Sequence, residues 1–286
     1  MAHPISIKYL IFFLMTGLLT SCYDVDYTGF FMRSEKANQR FTESMEWNAL
    51  NPYRQIVTDS DDYLLLVMGD SHVGGTKNLL HFFDIARDLE PEALVMAGDL
   101  VTGREEDYQL FYDALPDREE VLWFPVVGNH DLYFDGWTHF YDLFGASVYL
   151  FTIKTPNATD LMIVLDTGSG TLGSKQLEWL SGKLDNIRDD YRYCMLFTHN
   201  NLFRDPPTWS TNPPVEELHV LMDLFLRHSV DFFIAGHDHR RNETHFGNTT
   251  YLLVDALKDG LSNAGYLMLN VTDASVDYRF EYLWDH

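Results

Sequence analysis

Residues 63–72 read Tyr-Leu-Leu-Leu-Val-Met-Gly-Asp-Ser-His, an apolar run that passes without a break into Gly69, Asp70, Ser71 and His72. A short run with no polar alternation is the pattern of a strand covered on both faces. The arrangement recurs four times. Run 93–97 leads into Gly98-Asp99-Leu100, and run 121–127 into Gly128-Asn129-His130-Asp131. Run 193–198 leads into His199-Asn200, and run 231–235 into Gly236-His237-Asp238-His239. Residues able to bind metals therefore collect just after strands. In open α/β sheets ligands sit beyond the carboxyl ends of the strands, so the five motifs are expected together at one edge of one sheet.

The spacing fits that expectation. Asp70 and Asp99 lie 29 residues apart and Asp99 and Asn129 lie 30 apart, the length of a strand–helix–strand unit. Between the runs, 78–89 puts Leu79, Leu80, Phe83, Ile85 and Ala86 largely along one helical face. Helices are also expected at 105–115, 137–143, 174–187 and 215–227. Strands are expected at 148–153 and 161–166, and a second, antiparallel set at 250–254, 266–270 and 276–283.

The chemistry follows from the residue types. Asp70, His72, Asp99, Asn129, His199, His237 and His239 are two carboxylates, one amide and four imidazoles. Gathering them without a counter-charge is costly, because a dry carboxylate or imidazolium is strongly disfavoured. Two divalent ions satisfy the set. Hydrolytic metal pairs sit about 3.5–4 Å apart and share a bridging ligand, a role for which the central carboxylate, Asp99, is suited. Two carboxylates and one bridging hydroxide leave such a pair with a net charge of about +1, which still attracts a phosphate oxyanion. Mixed nitrogen and oxygen donors suit manganese, iron or zinc better than calcium.

In this order and spacing, the five motifs resemble those of the calcineurin-like metallophosphoesterase superfamily, over about residues 61–286. The resemblance implies an α/β fold, a four-layer α/β/β/α sandwich with two mixed sheets. It implies Asp70, His72 and His239 on one ion, Asn129, His199 and His237 on the other, and Asp99 on both. It places His130 beside the scissile phosphate to assist the leaving group, with a metal-bound hydroxide as nucleophile. Two departures stand out. Protein-phosphatase members carry an acidic residue three positions after the bridging aspartate, where this chain has Thr102; Asp131 or another group must then orient His130, or the ring is oriented differently. Purple acid phosphatases place a tyrosine ligand in that loop, where this chain has Val101 and Thr102.

The chain has 286 residues and a formal charge of −23, from 43 acidic and 20 Lys or Arg residues. That balance argues against nucleic acid as a partner, since phosphate-backbone affinity comes mainly from Lys and Arg. Two cysteines, Cys22 and Cys194, exclude a disulfide framework. Cys194 lies in an apolar run and reads as a buried thiol. Residues 1–21 form a signal-like segment, Lys8 followed by an apolar stretch. It ends in Leu19-Thr20-Ser21-Cys22, which resembles a bacterial lipobox, with the lipid on Cys22. Residues 22–60 are then a membrane-tethered spacer before a metallophosphoesterase domain at 61–286, and the protein is expected on the bacterial cell envelope, facing the periplasm or exterior. Substrate contacts are expected from the Pro-rich loop 200–214, through Asn201, Arg204 and Trp209. The expected activity is hydrolysis of a small phosphate mono- or diester. The rivals are a nuclease of the same superfamily and a non-catalytic envelope binding protein that keeps the fold.

Overall fold

The computed structural model describes residues 36–52, 54–202 and 214–284. The first three apolar runs form adjacent strands. Strands β2 (Tyr63–Met68), β3 (Ala93–Met96) and β4 (Trp123–Pro125) are joined through helices α2 (Lys77–Leu89) and α3 (Glu105–Ala114). Strand β2 pairs parallel with β3, and β3 with β4. The chain returns at its far end to finish this sheet, with β11 (Gly265–Val271) antiparallel to β2 and β12 (Val276–Tyr282) antiparallel to β11. The five-stranded order is β12-β11-β2-β3-β4.

A second sheet is built around β5 (Tyr149–Lys154), β6 (Thr159–Val164), β7 (Cys194–Phe197) and β8 (Phe232–Ala235). Beyond these lie β1 (Gln55–Val57), β10 (Thr249–Leu253) and β9 (Asn242–Phe246), in the order β1-β5-β6-β7-β8-β10-β9. Helices α5 (Gly173–Ile187) and α6 (Val215–Arg227) cover its outer face, while α4 (Gly136–Phe144) lies with α2 and α3 on the outer face of the five-stranded sheet.

Three apolar layers hold these four together. Successive side chains on a strand point to opposite faces. Leu65 and Val67 of β2 accordingly enter the core between the sheets, with Phe151, Met162, Phe197 and Ile234 from the other sheet. Leu66 and Met68 turn outward onto Phe82, Phe83 and Phe111 of the helices. Leu161, Ile163 and Leu196 turn outward onto Leu180, Leu221 and Phe225. This is the expected four-layer α/β/β/α sandwich with two mixed sheets.

Three expectations are corrected. The motif strands do not share one sheet: β2, β3 and β4 belong to one and β7 and β8 to the other. The last strands form no separate antiparallel set, because β10 runs parallel to β8 while β11 and β12 complete the first sheet. The stretch taken for a spacer contains folded structure. Helix α1 (Ala37–Leu50) buries Ala37, Arg40, Phe41 and Ser44, spaced i, i+3, i+4, i+7 along one face. Arg40 forms a bidentate pair with Asp166 at 2.7 and 2.8 Å, both side chains buried. Phe41 meets the edge of Trp179, and Asn38 bonds Ser174 and Lys175 at the start of α5. Among the described residues no helix is long and apolar enough to cross a membrane. Cys22, Arg204 and Trp209 lie outside the described residues, as does the signal-like segment.

Candidate metal centre

The motif loops are laced together by the backbone at the carboxyl ends of the strands. Asp70 N–H donates to Gly98 O at 2.9 Å, His72 N–H to Asp99 O at 2.9 Å and Val73 N–H to Leu100 O at 3.0 Å. Within the second sheet Gly236 N–H donates to His199 O at 3.0 Å, and His237 N–H joins the two sheets by donating to Asp70 Oδ2 at 2.8 Å. Five of the expected ligands, Asp70, His72, Asp99, His237 and His239, sit at positive φ between 41° and 75°. Non-glycine residues rarely occupy that region, and such strain gathers at functional sites. Gly128 is required for close approach, since a Cβ there would overlap the backbone N and Oδ1 of Asp99. Gly98, at φ +85°, leaves room for the His199 ring.

The seven expected ligands converge as two groups around Asp99. In the first, His72 Nε2 lies 3.0 Å from His239 Nε2, and His239 Nε2 lies 3.3 Å from Asp70 Oδ1. In the second, His199 Nε2 lies 3.2 Å from Asn129 Oδ1 and 3.1 Å from His237 Nδ1. Asp99 Oδ2 faces both groups, 3.2 Å from His199 Nε2 and 3.8 Å from His72 Nε2. Metal–ligand bonds of about 2.0–2.2 Å put neighbouring ligand atoms roughly 3–3.5 Å apart, which is the spacing seen.

Hydrogen-bond accounting favours a cation in the same place. A carbonyl only accepts, so His199 donates Nδ1–H to Ala97 O at 2.9 Å and turns Nε2 toward the cluster. In a neutral ring that Nε2 is a lone pair aimed at the oxygens of Asp99 and Asn129. Asp70 Oδ1 is buried without a hydrogen-bond partner. Electrostatics agree. Burial pulls the His199 pKa down, but the Asp99 carboxylate outweighs it and pushes the ring up to about 9, so a proton occupies the place of a cation. Burial opposes ionisation of Asp99, yet His199 and His130 hold its carboxyl well below the usual range. Burial drives His72 well below the ordinary imidazole value, leaving a neutral ring. The residues present fit divalent cations.

His130 joins the edge of this cluster. Its N–H donates to Asp99 Oδ1 at 2.7 Å, and its ring packs between His72 at 4.5 Å and Tyr133 at 4.6 Å between centroids. Its nitrogen lies with the ligand atoms of His72 and Asp99, all within 4.8 Å of one another. Asp131 does not orient that ring. Both its oxygens are taken by backbone, from Val101 N–H at 3.0 Å and Gly128 N–H at 2.7 Å, so it clamps the loops after β3 and β4. Burial pushes its carboxyl up to about 7, and the neighbouring Asp99 acts in the same direction. The Thr102 hydroxyl bonds Asp107. Asn201 is buried, and its amide donates to Asp238 at 3.2 Å.

One cation near the cluster is not apparent from motifs. Lys258 acts on His72 in the same direction as burial, and its carbonyl accepts from Asn78 Nδ2 at 2.9 Å. Two residues earlier, Ala256 bridges to Gly69, and Leu257 N–H donates to Gly69 O at 2.9 Å. The signal that could have found it is the parallel pairing of β10: the loop after a parallel strand opens at the same end as the other five.

A family model described as calcineurin-like phosphoesterase matches residues 63–241. No curated protein matches the chain. Among solved structures, the GAP50 anchor of the inner membrane complex of Plasmodium is similar, with 13% identity and a TM-score of 0.62 over 78% of this chain and 85% of that one. A dimetal phosphatase from Danio rerio is similar at 14% identity and a TM-score of 0.60, over 78% of this chain and 97% of that one. A Thermus thermophilus protein follows the same fold at 12% identity and a TM-score of 0.51, covering 78% and 99%.

Proposed function

Because the chain belongs to the calcineurin-like phosphoesterase family, we propose that it hydrolyses a small phosphate ester at a centre of two divalent cations, manganese, iron or zinc. The observation that carries this reading is the position of Asp99 Oδ2, within 4 Å of an imidazole nitrogen from each of the two ligand groups. Asp70, His72 and His239 would hold one cation and Asn129, His199 and His237 the other, with Asp99 placed between the two groups. When bound, such a pair supplies positive charge for the phosphoryl oxyanion and activates water for in-line attack.

The protein's own groups do the rest. Asp99 Oδ1, by accepting the His130 N–H, fixes the residue whose ring stands over the cluster. Burial pulls the His130 pKa below the ordinary imidazole value, so it is the N–H of a neutral ring that would serve the leaving alkoxide oxygen. Asp131 keeps the loop that carries Asn129 and His130 against the loop that carries Asp99. His199 is held in one tautomer by Ala97 O, so its Nε2 serves as a ligand. The nuclease alternative is disfavoured by the charge of −23.

The test is to strip the full-length protein with chelator, reload it with manganese, iron or zinc, and assay phosphate mono- and diesters side by side while counting bound metal. The expected result is two equivalents per chain and metal-dependent turnover, with His130→Ala binding metal but turning over about 10²–10⁴-fold more slowly. Two bound metals with no ester cleaved would favour the non-catalytic binding protein. One or no metal would overturn the dinuclear centre.

The lipobox-like Leu19-Thr20-Ser21-Cys22 supports a further part of the proposal: lipid on Cys22 anchors the protein to a bacterial envelope. Incorporation of labelled palmitate into the wild type and not into Cys22→Ser is the expected result. Equal labelling of both would end it.

A further inference from the structure

A cavity of about 160 Å³ opens where the edge strand β4 meets β5 of the other sheet, and none of the seven candidate ligands lines it. Its walls are aromatic. Phe124 of β4 and Phe151 of β5 stack with centroids 3.8 Å apart and planes within 7°, and Trp47 and Tyr149 also line the space. Tyr149 is held in place by donating to Pro125 O at 2.8 Å. A cavity of about 150 Å³ is large enough for a six-membered ring.

The charged residues of the lining are Arg54 and Arg118, with no carboxylate among its residues. Neither arginine makes an ion pair with any described residue, although the chain carries 43 acidic groups. Arg118 instead lies over the ring of Trp123, 3.5 Å from its centroid. Burial lowers its pKa, the nearby Tyr149 opposes that shift, and the charge of Arg54 adds to it. Both residues are solvent-exposed, and an anion held in the cavity they line would offset the repulsion between their charges. Aromatic walls and a charged mouth together define the ligand.

We propose that this cavity is a binding site, separate from the metal centre, for a small aromatic anion: a flat ring that enters the space lined by Trp47, Tyr149 and Phe124 and carries one sulfonate, carboxylate or phosphate group to Arg54 and Arg118. The apolar floor supplies contact area and the two arginines select for charge. A neutral ring gains only the first, and an inorganic anion only the second.

The test is calorimetric titration of the full-length protein with benzenesulfonate, an aryl anion that phosphoesterase chemistry does not consume. Saturable binding of one equivalent is expected, at least tenfold weaker for the uncharged benzyl alcohol. Arg118→Met and Arg54→Met are each expected to weaken it at least tenfold, with unchanged thermal melts showing that the fold persists. Binding is expected to survive chelator, which distinguishes this site from the metal centre. The proposal is overturned if wild-type protein shows no saturable binding, if the double arginine variant binds as well as wild type, if the neutral ring binds equally, or if chelator abolishes binding.

Discussion

Asp70 accepts the backbone N–H of His237 at 2.8 Å through Oδ2, although 167 residues separate them along the chain. One carboxylate thus ties the two sheets together while its other oxygen points to His239 at 3.3 Å.

Asp70→Asn breaks that double role. An amide has one acceptor oxygen, so it either keeps the His237 N–H and turns its NH₂ toward the cluster, or the reverse. The expected outcome is loss of one of two bound metals by elemental analysis and a stability decrease of about 1–3 kcal/mol in denaturant titration. Retention of both metals at wild-type affinity would contradict the ligand assignment.

Arg40→Ala leaves Asp166 buried without its partner. Removing one member of a buried pair costs about 3–5 kcal/mol, and a domain of this size loses roughly 2–4 °C of Tm per kcal/mol. A fall of roughly 6–20 °C by calorimetry is therefore expected, with proteolytic cleavage newly appearing within 37–50. An unchanged Tm would show that α1 contributes little to the folded body.

Lys258 lies where its charge reaches His72. If phosphate esters bind as proposed, Lys258→Ala raises KM about tenfold, the ~1.4 kcal/mol of a lost charge-assisted contact. The kcat should change less, and Lys258→Arg should recover most of the loss. A fall confined to kcat would instead assign Lys258 to the chemical step.

Cys194 is fully buried in β7, and burial pushes its thiol up to about 12. At pH 8 it stays protonated and out of reach, so native protein in which Cys22 is lipidated or replaced by serine should not react with a disulfide reagent over hours. In guanidinium one thiol should react within minutes. Rapid reaction of the native protein would mean that the second sheet opens readily.

The parts of the fold legible in the sequence were those written in apolar runs. Tyr63–Met68 is buried on both faces, so hydropathy alone marks it, and the ligands that follow it mark its end. Helix α1 was not legible because its buried face carries Arg40 and Ser44. Hydropathy assigns both to solvent, whereas Arg40 is neutralised by Asp166, 126 residues away. Two sheets and one look alike from sequence, because β4 and β7 both run apolar and only pairing separates them. The ligands were legible as a set. The task of Asp131 was not, since both its partners are backbone N–H groups that no side-chain pattern reveals. Arg54 and Arg118 carry no motif, and only the fold brings them to one cavity mouth.

The return of β11 to pair with β2 has a consequence for the order of synthesis. The loops bearing Asp70, Asp99 and Asn129 leave the ribosome early, but the neighbour that flanks β2 emerges only when translation reaches Gly265–Val271. A nascent chain therefore carries an open strand edge for most of its elongation. A message cut short before that point therefore yields a chain that holds every candidate ligand while β2 lacks its antiparallel neighbour.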